Sequence, residues 1–238
     1  MSDDAFAPLL IYGIVRADAF APNDVSDLGP GVGGRSLSIV KRSGLAAIVS
    51  SLAEDDSRPP APIDPETAEA LAHRSVVEAA FERATIIPVR FGTTLEGDAA
   101  LNQHLQSAAA RYRDTLKKLD GRAEIGIRLA LREDEPTATA PRDTAYRTDR
   151  PGTAYLLAQQ QQQNQRRRRA VRTYRRALSD RCDRTVTTSR PAGSDSVSMA
   201  FLVPRSSMDR FREAAARVRA PEVQSIDVVG PWAPYSFV

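Results

Sequence analysis

The chain has 238 residues, a formal net charge of +3 and a single cysteine, Cys182. A chain of this length can bury roughly 70% of its unfolded surface, so it needs no disulfide or structural metal in order to fold. One cysteine excludes an intramolecular disulfide and is typical of a reducing compartment. The start MSDDAF is acidic where a secretory signal is basic, and no run approaches the ~20 apolar residues of a membrane span. We therefore expect a soluble, globular, cytoplasmic protein.

The first half of the chain alternates apolar runs with helical patterns. The run PLLIYGIVRA predicts a central strand, and LSIVKRSGLAAIVSSL predicts a hairpin that turns at Gly44. Helices are expected at about 66–84 and 98–119. Between them, TIIPVRFGTTL predicts a strand that Pro88 confines to a sheet edge or a bulge, and AEIGIRLAL predicts the next strand. This order is close to a ferredoxin-like split βαβ arrangement, which predicts an N-terminal ferredoxin-like α+β domain over residues 1–133.

The second half reads as a separate, smaller α+β domain. Residues 134–151 are polar and punctuated by prolines, which predicts a linker. The C-terminal domain, over 152–238, opens with a long helix expected at 153–178 that contains QQQQQNQRRRR. Two strands, a helix at 207–219 and a last strand complete it. We thus expect an α+β protein of two domains.

Residues able to carry out catalysis are sparse. His73 and His104 lie on different predicted helices without a metal-ligand spacing, and no histidine is placed to act as a base for Cys182. The stretch GPGVGGRS precedes a strand and lacks the lysine of a phosphate-binding loop, so we interpret it as a flexible connector. We predict no catalytic residues, no cofactor and no metal. An enzyme on a ferredoxin-like scaffold stays an alternative, because a fold never excludes a function.

Arginines are concentrated in the long helix, where seven fall within eleven residues. Such a run is a possible phosphate-binding surface, so a nucleic-acid-binding module is the alternative function. On a helix, however, we expect them to point all around the axis, and no strand carries the aromatic RNA-binding motif. A solvated helix, or one that faces an acidic protein partner, is the favoured interpretation. The residues are Arg166, Arg167, Arg168, Arg169, Arg172, Arg175 and Arg176.

Two further segments are unusual without being catalytic. IIPVRFGTTL places Arg90 within an apolar strand, where a buried guanidinium would have to bond a carboxylate or main-chain carbonyls. Both a structural bond and a partner contact explain Arg90 equally well. The ending GPWAPYSFV is apolar and proline-stiffened, whereas chain termini are normally polar and mobile.

Three segments together resemble the signature blocks of the gas vesicle protein L/F family. The first block is LLIYGIV at 9–15, the second is IIPVRFGTTL at 86–95 and the third is GPWAPYSFV at 230–238. Their order and spacing match the family, and the last two blocks are specific. The residues that carry over are Tyr12, Gly13, Pro88, Arg90, Phe91, Gly92, Gly230, Pro231, Trp232, Pro234, Tyr235, Ser236 and Phe237.

The resemblance implies a function as well as a fold. Proteins of this family are non-enzymatic accessory components of gas vesicle formation, with two α+β domains of which the first is ferredoxin-like. They associate with the small amphipathic shell protein and with other accessory proteins, as minor vesicle constituents or as assembly factors. The resemblance therefore implies a cytoplasmic, gas vesicle-associated protein without a membrane partner. The Gln/Arg-rich helix is more extreme than the family pattern.

The aromatic ending has two explanations. It is either docked into its own protein, where it would close the two domains together, or reserved for a partner, since Trp and Tyr bury a large area at a small entropic cost. We favour docking, because a permanently exposed cluster of Trp, Tyr and Phe would promote aggregation.

Overall fold

The computed structural model describes residues 7–21, 24–52, 67–132, 151–188 and 196–238. The chain divides into two compact units, one formed by Met1–Ala123 with Trp232–Val238 and the other by Glu124–Pro231. The mixed helix and strand content predicted from the sequence is confirmed, and the strands form two antiparallel sheets. Apart from Pro151, the predicted linker lies outside the described residues.

In its described residues, the first unit contains one sheet and three α-helices. The sheet has the order β2-β3-β1-β4, and β5 also pairs with β1. The central β1 is buried along nearly its whole length, as its uninterrupted apolar sequence predicts. The elements are β1 (Leu9–Arg16), β2 (Ser38–Arg42), β3 (Leu45–Ser51), α1 (Ala68–Arg83), β4 (Ile87–Pro88), β5 (Thr94–Leu95), α2 (Gly97–Ser107) and α3 (Ala109–Leu119).

The predicted hairpin between β2 and β3 is confirmed. Arg42 pairs with Leu45, so that only two residues form the turn. Both have positive φ, 53° at Ser43 and 75° at Gly44, which is the backbone of a type I′ turn and explains the glycine. The start of α1 is also set locally, because the Thr67 hydroxyl accepts a hydrogen bond from the Ala70 amide at 3.2 Å.

The single helix predicted at 98–119 is wrong, because the chain forms α2 and α3 with a break at Ala108. At the break the His104 carbonyl accepts both the Ala108 amide and the Ser107 hydroxyl, each at 3.0 Å. The apolar periodicity continues across the break, with Leu101, Leu105 and Leu116 all buried. Periodicity alone therefore could not reveal the break.

The part of the second unit that the structure describes contains a four-stranded sheet and two α-helices. The sheet has the order β7-β8-β6-β9, and apolar residues of β6, β8 and β9 form a core with both helices. β6 was expected among the elements of the first domain, but its sheet partners are β8 and β9. The elements are β6 (Arg122–Leu131), α4 (Pro151–Leu178), β7 (Arg184–Thr188), β8 (Ser196–Pro204), α5 (Met208–Arg217) and β9 (Val223–Trp232). Within the described ranges, no helix has both the length and the apolar character needed to cross a membrane.

Candidate functional site

The first and second signature blocks lie side by side in the first sheet. Gly13 of β1 pairs with Pro88 of β4. The Val89 amide donates to the Tyr12 carbonyl at 3.0 Å. Pro88 lies in an edge strand, as the sequence predicted. A proline has no amide hydrogen to donate to a second neighbouring strand, so it fits at a sheet edge. Two blocks that are far apart in sequence thus form one packed unit.

Gly13 allows the two strands to approach closely. A Cβ atom at this position would lie 2.7 Å from Cγ1 of Ile86 and 3.1 Å from the carbonyl oxygen of Ile87. Both distances are shorter than ordinary van der Waals contact, and the second neighbour is main chain that cannot rotate away. The glycine of the first block therefore has a packing role.

Tyr12 connects the same unit to the glycine-rich connector. Its side chain is fully buried, and its hydroxyl accepts a hydrogen bond from the Val32 amide at 2.8 Å. The hydroxyl also bonds to Ser50 Oγ at 3.0 Å. A Cβ at Gly31 would lie 2.6 Å from this hydroxyl, so glycine is needed there too. The connector therefore packs against the core through Val32, and its interpretation as flexible is wrong for this part.

His73 joins α1 to both signature blocks. Its ring stacks on Tyr12 at 4.8 Å between centroids and lies 5.6 Å from the ring of Phe91. Its Nε2 donates to the Ile11 carbonyl at 3.1 Å. Burial lowers the pKa of His73, and this effect outweighs the opposing effect of the Ile11 hydrogen bond. The neutral ring is a packing element, and no pattern in the sequence indicates that it links Tyr12 to Phe91.

The expectation of a buried Arg90 is wrong. The side chain of Arg90 is exposed, and no hydrogen bond of its guanidinium to another described residue is present. Its carbonyl instead accepts hydrogen bonds from the amide and the hydroxyl of Thr93, at 3.2 Å and 2.8 Å. These bonds close a turn at Phe91 and Gly92, whose φ is 84°. The predicted strand is divided by this turn, so apolar flanks did not imply burial.

The third signature block ends as a docked segment with two exposed side chains. Trp232–Val238 belongs to the first unit, where Ala233, Pro234 and Phe237 are buried. Trp232 and Val238 remain 38% and 56% exposed. A short 3-10 turn holds the segment, with the Phe237 amide donating to the Pro234 carbonyl at 3.1 Å. Two residues precede the segment, Gly230, with a φ of 104°, and the exposed Pro231. The peptide bond between these two residues is cis.

The position of the terminal segment on the first unit is given by Tyr235. Burial, together with a smaller effect of the charge of Glu78, raises the pKa of Tyr235 to about 12, while the charge of Arg74 opposes the shift. Glu78 and Arg74 both belong to α1, so the segment lies next to this helix. Leu71, one turn earlier on the same face of α1, is 41% exposed. The helix beside the docked segment thus also presents an exposed apolar side chain.

The arginine-rich helix α4 separates its arginines into two groups. Arg166 and Arg167 are half-buried and donate to the carbonyls of Arg132 and Ser196, at 3.3 Å and 3.1 Å. The other five are exposed and, at 100° per residue, fall within an arc of about 120° opposite the buried Tyr174. Taken together the seven arginines point around the helix axis, but these five share one face, which was not predicted. We call them the arginine face: Arg168, Arg169, Arg172, Arg175 and Arg176.

The remaining candidates for chemistry are engaged within the fold. Burial raises the pKa of the Cys182 thiol, whose Sγ lies 3.4 Å from the Leu178 carbonyl oxygen. His104 Nε2 bonds to the Tyr112 hydroxyl at 2.7 Å. Across the described ranges, no group of three or more His, Cys, Asp or Glu side chains is arranged to hold a metal ion.

Comparison with known proteins agrees with the three signature blocks. The model of the family described as gas vesicle synthesis protein GvpL/GvpF matches residues 8–238. Gas vesicle protein L of Streptomyces sp. strain CB03234 is 26% identical, over 95% of this chain and 91% of that protein. Gas vesicle protein F2 of Halobacterium salinarum is also 26% identical, over 97% of this chain and 91% of its own length.

The fold is similar to that of a solved structure. The crystal structure of gas vesicle protein GvpF from Microcystis aeruginosa superposes with a TM-score of 0.73 at 18% identity, and covers 97% of this chain and 98% of that one. The family match spans nearly the whole chain, including the docked terminal segment. The chain therefore belongs to the GvpL/GvpF family of gas vesicle synthesis proteins.

Proposed function

We propose that this protein is a non-enzymatic accessory protein of gas vesicle formation that binds the vesicle shell protein, together with other accessory proteins, in the cytoplasm. Membership of a family of gas vesicle synthesis proteins supports the process. The observation that carries the binding step is the docked terminal segment, which holds Trp232 and Val238 at the surface although neighbouring apolar residues are buried.

The terminal segment has the properties of a preorganised binding surface. Phe237 and Pro234 anchor it, so that the exposed Trp232 is presented with little loss of conformational freedom on binding. Trp is enriched among the residues that dominate protein interfaces. In the free protein, Trp232 and Val238 are exposed to solvent. An amphipathic shell subunit would provide an apolar surface that covers them. In this proposal both explanations of the ending hold, since one part is docked and another part faces the partner.

The non-enzymatic role is supported by how the polar groups are used. The Tyr12 hydroxyl and His73 Nε2 both bond to neighbours inside the core. The raised pKa of Cys182 keeps its thiol in the less nucleophilic protonated form at neutral pH. These groups are therefore occupied in maintaining the fold.

We also propose that the first sheet is a ferredoxin-like split βαβ arrangement. The order β2-β3-β1-β4 supports it, because β3 and β4, which α1 connects, lie on either side of β1 and are both antiparallel to it. A 3-10 connection, Asp24–Leu28 with Val32–Gly34, stands where a helix would join β1 to β2. A crystal structure in which β3 and β4 are not separated by β1 would contradict this assignment.

Co-purification with the shell protein tests the binding step. The two proteins are co-expressed and this chain is captured at low and at high salt, with nuclease present. Capture through an apolar surface should resist both salt and nuclease. The double variant Trp232→Ala/Val238→Ser should lose roughly tenfold or more of the captured shell protein.

The matched control is Leu157→Ser, which removes a large apolar side chain that is 54% exposed in the other unit. It should capture shell protein as the unaltered chain does. Equal capture by the terminal double variant, or capture that disappears at high salt, would show that the terminal segment is not the binding surface.

A further inference from the structure

We propose that the arginine face of α4 is a docking surface for an acidic helical segment of a partner protein. This surface lies in the second unit and does not depend on the shell-binding role proposed for the terminal segment. The composition, the spacing and the anchoring of the face support this role.

The composition of the face indicates ion pairing as the means of recognition. Its five arginines are exposed, and none of them makes an ion pair with a residue in the described part of the chain. The 28 residues of α4 include no Asp or Glu. Exposed Gln161 and Gln165 continue the same face toward the start of the helix, so between residues 161 and 176 the face presents no apolar or aromatic side chain. A partner would have to supply anionic groups.

The spacing of the face matches that of carboxylates on a helix. Arg168, Arg172 and Arg176 follow one another at intervals of four residues, and at 1.5 Å per residue they extend over about 12 Å. Acidic residues at i, i+4 and i+8 on a second helix have the same repeat. The planar guanidinium group can bind a carboxylate through two parallel hydrogen bonds, which an ammonium group cannot do.

The face is held in place and is electrostatically unfavourable when free. Arg166 and Arg167 fasten α4 to main-chain carbonyls, and Arg175 donates to Thr187 Oγ1 of β7 at 3.1 Å. Within the face, Arg172 has a like-charged neighbour at both four-residue and both three-residue distances, an arrangement that destabilises a helix. An acidic partner would neutralise this repulsion without a rearrangement of the helix.

The observations favour a protein over a nucleic acid as the occupant. Proteins that bind single strands combine positive charge with aromatic side chains on which bases stack. Tyr174 of α4 is buried on the side of the helix opposite the face, so it offers no stacking surface there. Phosphates alone could still bind a row of arginines, so the test includes a nucleic acid.

The experiment measures binding of defined probes to the full-length protein at physiological salt. The probes are a labelled helical peptide of alanine with Glu at every fourth position, the same peptide with Gln in place of Glu, and a short DNA duplex. The triple variant R168Q/R172Q/R176Q removes the central row. The triple variant R42Q/R128Q/R210Q removes the same charge from exposed positions elsewhere. Circular dichroism confirms that each variant folds.

We expect the Glu peptide to bind and the Gln peptide not to bind. The central triple variant should weaken Glu-peptide binding roughly tenfold or more, while the control triple variant should leave it almost unchanged. The charge-reversal variant R168E/R172E/R176E should instead prefer a peptide that has Lys in place of Glu. A misfolded helix would not show this change of preference.

Three results would overturn the proposal. Equal weakening by both triple variants would show that net charge alone attracts the peptide. Failure of the Glu peptide to bind would exclude an acidic helix as the partner. Binding of the duplex in preference to the Glu peptide, lost in the central triple variant, would assign the face to nucleic acid. None of these results bears on capture of the shell protein.

Discussion

The imidazole of His73 stacks on the ring of Tyr12, with their centroids 4.8 Å apart and their planes inclined by 18°. His73 comes from α1 and Tyr12 from the central strand β1, so this pair attaches the helix to the sheet. The ring of Phe91, from the second signature block, also contacts the imidazole of His73, with 5.6 Å between the ring centroids. Two signature blocks are therefore joined through a residue that belongs to neither. The blocks that identify the family also form part of its packing core.

The buried His73 predicts a loss of stability on mild acidification. Its pKa in the folded protein is lowered by burial, whereas in the unfolded chain it returns to about 6.5. The unfolded state therefore binds the proton more readily, and the free energy of unfolding should fall as the pH drops below about 6.5. Above that pH the contribution is fully present. Urea unfolding between pH 5.5 and 7.5 measures this slope.

The control for this prediction is His73→Gln, which cannot titrate. The rings of Tyr12 and Phe91 and the carbonyl of Ile11 contact His73. The variant should thus have a shallower dependence of unfolding free energy on pH than the unaltered protein. Identical slopes would mean that folding does not lower the pKa of His73.

Tyr12→Phe tests the hydroxyl that connects β1 to the glycine-rich connector. The substitution keeps the ring but leaves the buried Val32 amide without its acceptor, at a cost of about 1–3 kcal/mol in unfolding free energy. Tyr112→Phe is the matched control, because that hydroxyl bonds to His104 at a half-buried site. Urea unfolding of both variants should show the larger loss for Tyr12→Phe. A loss no greater than that of Tyr112→Phe would show that water replaces the bond.

Gly13→Ala tests the close approach of β1 and β4. The added methyl group would meet Ile86 and the Ile87 carbonyl, and such overpacking costs about 1–3 kcal/mol. Ile86→Ala should be destabilising by itself, but it removes the side-chain atoms in the way. The double variant should therefore lose less stability than the two single variants added together. Simple additivity in urea unfolding would locate the strain at the Ile87 carbonyl instead.

Local features of the fold could be predicted because their causes are local in sequence. The turn at Gly44 needs positive φ, and the edge position of Pro88 follows from its missing amide hydrogen. Arg90 was wrongly expected to be buried, because its apolar neighbours belong to two short strands separated by a turn. Burial depends on where the chain turns, which the composition of a segment does not determine.

Partners distant in sequence could not be predicted. The apolar alternation of β6 predicts a strand equally well in either sheet, so its pairing with β8 and β9 was not accessible. The arginine face was missed for a different reason. The seven arginines were considered as one set. In the structure, Arg166 and Arg167 donate to main-chain carbonyls of other segments, while the other five share one exposed face of the helix.

The terminal segment should divide into a residue that stabilises the fold and a residue that serves binding. Phe237 is only 5% exposed, so Phe237→Ala should lower the free energy of unfolding by about 3–5 kcal/mol. Trp232 is 38% exposed, and its neighbour Pro234 remains to hold the segment, so Trp232→Ala should cost about 1 kcal/mol. Thermal and urea unfolding of the two variants compare these losses directly.

The same pair of variants distinguishes docking from partner recognition. If the segment is anchored by Phe237 and presents Trp232, the Trp232→Ala protein should remain folded at the temperature of a binding experiment and still lose capture of the shell protein. Leu157→Ser, at a site 54% exposed in the other unit, should leave unfolding and capture almost unchanged and controls for the loss of an exposed apolar side chain. A large stability loss in Trp232→Ala would mean that the tryptophan is part of the anchor, and its effect on capture would then follow from unfolding.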